Sequence, residues 1–131
     1  MSDASGPAPP QLTEEDARLF RKGIEELNTG YFFECHETLE DLWHGVRGEP
    51  RDFFQGLIQI AVGFYHVTRG NEAGARSMLD RALRRLSKYP DRYGGIDLGS
   101  LRAEASTIRA RLDDGTLGDD PAFPRCHLLS D

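Results

Sequence analysis

The chain has 131 residues, of which 38% are hydrophobic and 29% charged, as in one globular domain with a real core. Its formal net charge of −6 argues against a nucleic-acid binder, which needs a basic surface. The N-terminus lacks a basic start and an apolar run, so we expect no signal peptide. The longest uncharged stretch, residues 53–68, is too short and too polar for a membrane span. We therefore expect neither a nucleic-acid nor a membrane partner.

Caps and breakers predict where the helices begin and end. Residues 1–11 are rich in proline and predict a disordered leader. Thr13 is suited to cap a first helix, Pro50 to begin a third and Asn71 to cap a fourth. Glycines close the first three, and Ser100 begins a fifth. The predicted helices cover residues 14–28, 31–44, 50–69, 72–88 and 101–113.

A faint internal repeat with a 40-residue offset relates two helix–turn–helix units. In each unit, a turn glycine is followed five residues later by a small residue, which resembles tetratricopeptide helical hairpins. We predict the all-α class: a compact array of about five helices, built from two tetratricopeptide-like hairpins plus a closing helix. This single helical domain covers residues 12–113, and residues 114–131 form an irregular tail. Because no segment alternates with period two, we expect no sheet. The matching residues are Gly30, Cys35, Leu39 and Glu40 in the first unit and Gly70, Ala75, Leu79 and Asp80 in the second.

The two cysteines indicate a reducing compartment. Cys35 falls within a helical apolar pattern, where a buried free thiol is more common than a disulfide. Cys126 and His127 are neighbours in the tail, and we interpret that pair as incidental rather than metal-binding. The predicted location is therefore cytoplasmic.

On the second predicted helix, a histidine interrupts an apolar arc. At about 100° per residue, His36 falls inside the arc next to Trp43, and Glu40 flanks it one turn further on. Glu37 lies further round. We expect His36 and Glu40 to face the interior or its edge, and Trp43 to be largely buried beside His36. The arc consists of Phe32, Cys35, Leu39, Leu42 and Trp43.

The third predicted helix carries a polar stripe without formal charge. Gln55, Gln59 and His66 follow one side, whereas a stripe facing bulk water would usually contain lysine, glutamate or arginine. Such residues on a helix that is apolar elsewhere indicate buried polar groups with partners, because unpaired ones are costly. Gly56 and Gly63 lie beside the stripe, and the close approach of another helix would explain them.

These two segments resemble a known family. CHETLEDLW (residues 35–43) and QGLIQIAVGFYH (residues 55–66), followed by RGNEAGA (residues 69–75), are similar to the small proteins of domain-of-unknown-function family 309. The similarity covers roughly residues 20–90. It implies an all-helical fold and no particular activity. The signature positions that it implies are His36, Glu37, Glu40, Trp43, Gln55, Gly56, Gln59 and His66.

A divalent metal ion is one candidate cofactor for a site between the second and third helices. The run from His36 to Glu40 invites comparison with the HisGlu-x-x-His helix of zinc proteases, but Glu40 takes the place of the second histidine. His36 and Glu40 could supply two ligands at i and i+4, and His66 a third. Glutamine ligands suit zinc poorly, which argues against a conventional catalytic centre.

A small-molecule pocket is the second candidate, and a purely structural hydrogen-bond network is the third. In a pocket, His36 could act as an acid or base oriented by Glu40, and Arg51 could attract an anion near a helix N-terminus. Arg51 could equally form a surface ion pair. We expect His36, Glu40, Gln55, Gln59 and His66 to lie in one cluster. The candidate ligand-binding residues are His36, Glu37, Glu40, Arg51, Gln55, Gln59 and His66.

Charge is distributed unevenly between the helices. The first two are acidic, and the fourth is basic through residues such as Arg81, Arg85 and Lys88. A solvated charged face explains this, as does a contact between subunits of a homo-oligomer or with a protein partner. Two hypotheses follow. The domain binds a small ligand or metal ion at a His/Glu/Gln site, or it is an interaction scaffold whose polar cluster is structural.

Overall fold

The computed structural model describes residues 6–129. Five helices make up most of it, which confirms the predicted all-α class. Residues 1–5 of the predicted leader and residues 130 and 131 of the predicted tail lie outside the described residues. The elements are α1 (Glu14–Asn28), α2 (Phe32–Trp43), α3 (Pro50–Thr68), α4 (Glu72–Leu86), β1 (Arg92–Tyr93), β2 (Ile96–Asp97) and α5 (Leu98–Asp114).

The caps explain where the helices begin. The Thr13 hydroxyl accepts a hydrogen bond from the Asp16 amide (3.0 Å), and the Asn71 side chain accepts one from the Gly74 amide (3.0 Å). Helix α5 begins at Leu98 and not near residue 101. The Asp97 carboxylate accepts from the Ser100 amide at 3.1 Å, so the aspartate, and not the serine, is the cap.

The expectation of no sheet is wrong at one point. Arg92 pairs with Asp97, and Tyr93 pairs with Ile96, in a small antiparallel hairpin. Gly94 and Gly95 form its turn, with φ of 63° and 75°. Two residues per strand are too few for a period-two pattern to emerge from the sequence.

Helix α3 lies at the centre of the domain, between α2 and α4. Its Phe53, Phe54 and Phe64 are fully buried. A Cβ atom added to Gly56 would lie 2.6 Å from Cδ2 of Leu86, and one added to Gly63 would lie 2.8 Å from Cδ2 of Leu79. The predicted close approach of another helix is therefore confirmed, and that helix is α4.

Helix α1 packs against α2, and α5 packs against α4. No helix within residues 6–129 has the length and apolarity needed to cross a membrane.

The segment after α5 packs back onto the helices. The Phe123 ring lies 4.8 Å from that of Phe32, measured between centroids. The Asn28 side chain donates to the Cys126 carbonyl (2.9 Å) and accepts from its amide (2.7 Å). Cys126 and Cys35 are buried free thiols, which confirms the prediction for Cys35. Burial raises the pKa of Cys126 to about 12 and also raises that of Cys35, so neither thiol is ionised at neutral pH.

Candidate functional site

Side chains of α3 and α4 line a groove that Trp43, at the end of α2, borders on one side. Its largest hollow, about 620 Å³, lies at the N-terminal end of α3, and an adjoining hollow of about 480 Å³ shares two of its side chains, Arg85 and Lys88. We call these two hollows together the basic groove. Its walls and floor include Trp43 from α2, Arg51, Asp52, Gln55 and Gln59 from α3, and Arg81, Arg84, Arg85, Lys88 and Tyr89 from α4 and the turn after it.

Trp43 and Arg51 form one end of the basic groove. The Arg51 guanidinium carbon lies 3.9 Å from the centroid of the Trp43 ring, a cation–π contact. Its Nη1 donates to the carbonyls of Trp43 (3.0 Å) and Val46 (2.9 Å), which fixes the arginine at the C-terminal end of α2. Trp43 is mostly but not fully buried, and its ring lies beneath Arg51, because the chain turns back after α2 and places Arg51 there. The expected packing of Trp43 beside His36 stays a prediction.

An ion cluster lies at the centre of the basic groove. Arg85 and Lys88 both donate to the Asp52 carboxylate. The hydrogen bond from Lys88, followed by the charges of Arg85 and Lys88, lowers the pKa of Asp52. Asp52 is therefore ionised at neutral pH, and two cations converge on it.

The two glutamines line the floor of the basic groove. Gln55 is half-buried in the larger hollow. Gln59 is 7% exposed and lies at the adjoining hollow, and its Oε1 has no hydrogen-bond partner among the described residues. Indole Nε1 of Trp43 is likewise buried without a partner there. Burial of Gln59 agrees with the polar-stripe prediction, but the expected protein partner for its carbonyl is missing from residues 6–129.

The two histidines lie at the other end of α3, in a smaller hollow of about 200 Å³. Nδ1 of His36 lies 2.8 Å from the Phe33 carbonyl, which can only accept, so this nitrogen carries the proton. Nε2 of His36 lies 3.7 Å from Oε1 of Glu40, whose side chain is 46% exposed. We call this hollow the aromatic hollow. It is lined by Phe32, Phe33, His36, Val62, Tyr65 and His66.

His66 is oriented by the cap of α4. Its Nδ1 lies 3.2 Å from Nδ2 of Asn71, and Oδ1 of Asn71 accepts from the Gly74 amide. The Asn71 amide nitrogen is therefore the donor, and Nδ1 of His66 is the acceptor.

The predicted site residues do not share one cavity. Gln55 and Gln59 line the basic groove with Arg51, whereas His36 and His66 line the aromatic hollow. Glu40 borders neither hollow, and the same holds for the exposed Glu37.

No metal site is found at the candidate ligands within residues 6–129. Among residues 6–129, no three histidine, cysteine, aspartate or glutamate side chains are grouped so that they could hold a metal ion, and this includes His36, Glu40 and His66. The physical reason is that each imidazole is turned by a local bond, His36 to the Phe33 carbonyl and His66 to Asn71.

The sequence interpretation missed the α4 wall of the basic groove. Arg81, Arg85 and Lys88 follow one another at spacings of four and three residues, which is the signal for one side of a helix. That signal identifies a stripe, but it does not identify the neighbouring helix that the stripe adjoins. Asp52, the partner of Arg85 and Lys88, is the one acidic residue of α3.

Comparisons with known proteins agree with the sequence resemblance. The chain is 32% identical to an uncharacterised protein of Aquifex aeolicus (strain VF5) over 89 residues, which are 67% of this chain and 27% of that protein. It is 41% identical to the uncharacterised protein YpuF of Bacillus subtilis (strain 168) over 62 residues, which are 47% of this chain and 36% of YpuF. The chain therefore corresponds to only part of each relative. The family model described as domain of unknown function DUF309 matches residues 20–78. This range includes the α3 floor of the basic groove and ends before Arg81. Over residues 20–78, the chain is therefore similar to the DUF309 family, as the sequence resemblance implied.

Proposed function

We propose that this domain binds an anionic ligand in the basic groove. The observation that carries the proposal is the convergence of Arg51, Arg85 and Lys88 on an open hollow of about 620 Å³, in a chain whose net charge is −6. The carboxylates that line this hollow are Asp52 and Glu49. The adjoining hollow adds two further arginines. A local excess of positive charge on an acidic protein favours the binding of an anion at that position.

The donors around the hollow support the same conclusion. Arg85 and Lys88 already hold one carboxylate, that of Asp52, and a guanidinium has five N–H donors. The side chains of Trp43 and Gln55 line the same hollow. Charge-assisted hydrogen bonds of this kind are the strong ones in anion recognition. Of the ligand-binding residues predicted from sequence, Arg51, Gln55 and Gln59 carry over to this proposal.

A purely structural role would require the polar residues to satisfy one another. His36 bonds instead to a backbone carbonyl, its Nε2 is 3.7 Å from Glu40, and Oε1 of Gln59 has no partner in the described part of the chain. These polar residues therefore do not satisfy one another as a purely structural network would require. The Gln59 carbonyl oxygen, which can only accept, adds nothing to the binding of an anion.

The sole tryptophan provides the test, because Trp43 lies at the basic groove. We expect inorganic pyrophosphate to change its fluorescence saturably, and added salt to weaken the binding. Arg85→Gln should weaken binding about tenfold or more, since a hydrogen bond to a charged group contributes about 1.5–3 kcal/mol. Arg76→Gln is the matched control. Arg76 also lies on α4, but it pairs with Glu72 at 3.7 Å and does not line the groove.

Two results would contradict the proposal. One is the absence of any saturable change at millimolar pyrophosphate. The other is an equal loss of affinity in Arg85→Gln and Arg76→Gln, which would indicate a response to net charge alone.

A further inference from the structure

The aromatic hollow extends the same face of α3 beyond the basic groove. Phe33 is 45% exposed, and its ring centroid lies 5.5 Å from that of Tyr65 and 5.1 Å from that of His36. Val62 forms the floor, seven residues along α3 from Gln55. The exposed phenyl ring and the apolar hollow beside it therefore form one continuous apolar surface.

From this arrangement we infer that the anionic ligand is an acidic protein segment carrying one bulky apolar side chain. The apolar side chain fills the aromatic hollow, and the acidic side chains lie over Arg81, Arg85 and Lys88. The inference rests on the proposed function and names the class of its ligand.

The size of the aromatic hollow fits one side chain. Its volume is about 200 Å³, and an apolar cavity of about 150 Å³ is already large enough to hold benzene. A leucine or phenylalanine side chain therefore fits. Burial of such a side chain strengthens binding by an amount that is independent of charge.

The distance between the two features favours a chain over a small ion. Val62 and Gln55 are seven residues apart on one helix, which is about 10 Å at 1.5 Å per residue. A single phosphate or carboxylate cannot reach both places. An extended peptide spans the same distance with about three residues, at 3.3–3.6 Å each.

Charge distribution favours an acidic protein segment over a nucleic acid. The cations line one groove, and Asp52 lies among them and pairs with Arg85 and Lys88. A nucleic acid requires a broader basic footprint, whereas the chain as a whole carries a net charge of −6. A peptide with a few carboxylates matches a groove of this size and charge.

Synthetic peptides test the inference with the full chain. The probes are acetyl-Leu-Gly-Ser-Gly-Asp-Glu-Glu-amide and the peptide of reversed sequence, each with a counterpart in which serine replaces leucine. We expect at least one leucine peptide to bind about tenfold more tightly than its serine counterpart, as read from Trp43 fluorescence. Phe33→Ala should abolish that difference and leave pyrophosphate binding unchanged. Tyr31→Ala is the matched control, because Tyr31 is 58% exposed and lies outside the hollow.

The outcomes separate this inference from the proposed function. If pyrophosphate binds, and the leucine and serine peptides bind equally or not at all, the inference is wrong and the proposed function stands. If neither pyrophosphate nor any peptide binds, both the inference and the proposed function are wrong.

Tighter binding of a single-stranded oligonucleotide of equal charge would overturn the inference in favour of a nucleic acid. Sedimentation showing a dimer that Arg85→Gln dissociates would overturn it in favour of a second copy. Because the serine counterparts need no protein variant, the comparison holds even if Phe33→Ala fails to fold.

Discussion

The helix pairs α1/α2 and α3/α4 have equivalent turns and equivalent contacts between their helices. Tyr31 N–H donates to the Glu26 carbonyl at 2.9 Å, and Asn71 N–H donates to the His66 carbonyl at 2.9 Å, forty residues further along. Inside each pair a glycine faces a leucine at the same offset. A Cβ atom added to Gly23 would lie 2.7 Å from Leu39, and one added to Gly63 would lie 2.8 Å from Leu79. The two pairs therefore have matching turns and matching glycine–leucine contacts.

The exposed sides of the two pairs differ. Helix α2 contains four acidic residues and no lysine or arginine, whereas α4 contains four arginines against two acidic residues. Helix α1 packs at the edge of the array, but α3 lies at its centre and is covered by both neighbours. The shared features are those that hold a helix pair together. The basic groove takes Trp43 from the first pair and its other helical side chains from α3 and α4, so the cations that line it belong to the second pair.

The largest expected effects test whether the two interiors are equivalent. Leu39→Ala and Leu79→Ala each remove a fully buried side chain, so each should lower the free energy of unfolding by about 2–5 kcal/mol. Urea unfolding followed by circular dichroism measures this. Leu128→Ala, at a 52% exposed position, should have an effect within about 0.5 kcal/mol. If only one of the two substitutions lowered the free energy of unfolding, the interiors of the two helix pairs would not be equivalent.

Adding a methyl group between the helices should have the next largest effect. Gly23→Ala and Gly63→Ala place a Cβ atom closer to a buried leucine than packing allows, and overpacking costs about 1–3 kcal/mol. The gain in helix propensity, about 1 kcal/mol, offsets part of that cost. In a double-mutant cycle, Gly63→Ala should cost less when Leu79 is alanine, because the obstructing side chain is gone. Additive effects would show that the contact between Gly63 and Leu79 does not set the distance between α3 and α4.

The two turn glycines should have effects that equal one another. Gly30 and Gly70 adopt φ of 86° and 73°, which costs other residues about 1–2 kcal/mol. Neither has a neighbour that an added Cβ atom would meet within 4 Å. Gly30→Ala and Gly70→Ala therefore measure the backbone strain of a positive φ alone. Thermal unfolding of the two variants should give similar losses. A loss of thermal stability in only one of the two variants would show that the two turns do not depend on their glycine equally.

Local signals account for what the sequence predicted correctly. Thr13 and Asn71 cap their helices through bonds three residues away, and the contact of Gly63 with α4 follows from a costly glycine in mid-helix. At α5, both Asp97 and Ser100 could serve as the cap, and the choice depends on the hairpin that precedes the helix. Short-range patterns do not decide such cases.

The site was predicted less completely because it depends on contacts between elements. Helical periodicity put Gln55 and Gln59 on one side of α3, and both line the groove. It could not reveal that Arg85 and Lys88 approach Asp52 from a helix more than thirty residues away. It also could not place Arg51 over Trp43, because that contact depends on the path of the loop between α2 and α3.

The smallest expected effect concerns Asp52, whose ion pairs belong to the second helix pair alone. Its folded pKa is lowered, chiefly by the hydrogen bond from Lys88, so its ionised form stabilises the fold. That stabilisation is present above the unfolded pKa of about 4 and is lost as the pH falls through the lower folded pKa. Because the Asp52 side chain is 34% exposed, solvent screening limits the effect to about 0.2–1 kcal/mol.

Asp52→Asn should therefore be slightly less stable than the parent chain in urea unfolding at pH 7 and equal to it near pH 2. In the first pair, Arg18→Gln removes the ion pair with Glu15 (2.5 Å) and serves as a reference. If Asp52→Asn retained full stability at pH 7, the cluster would act on the ligand rather than on the fold, and pyrophosphate affinity in the same variant, which should rise as the competing carboxylate is removed, would measure that role.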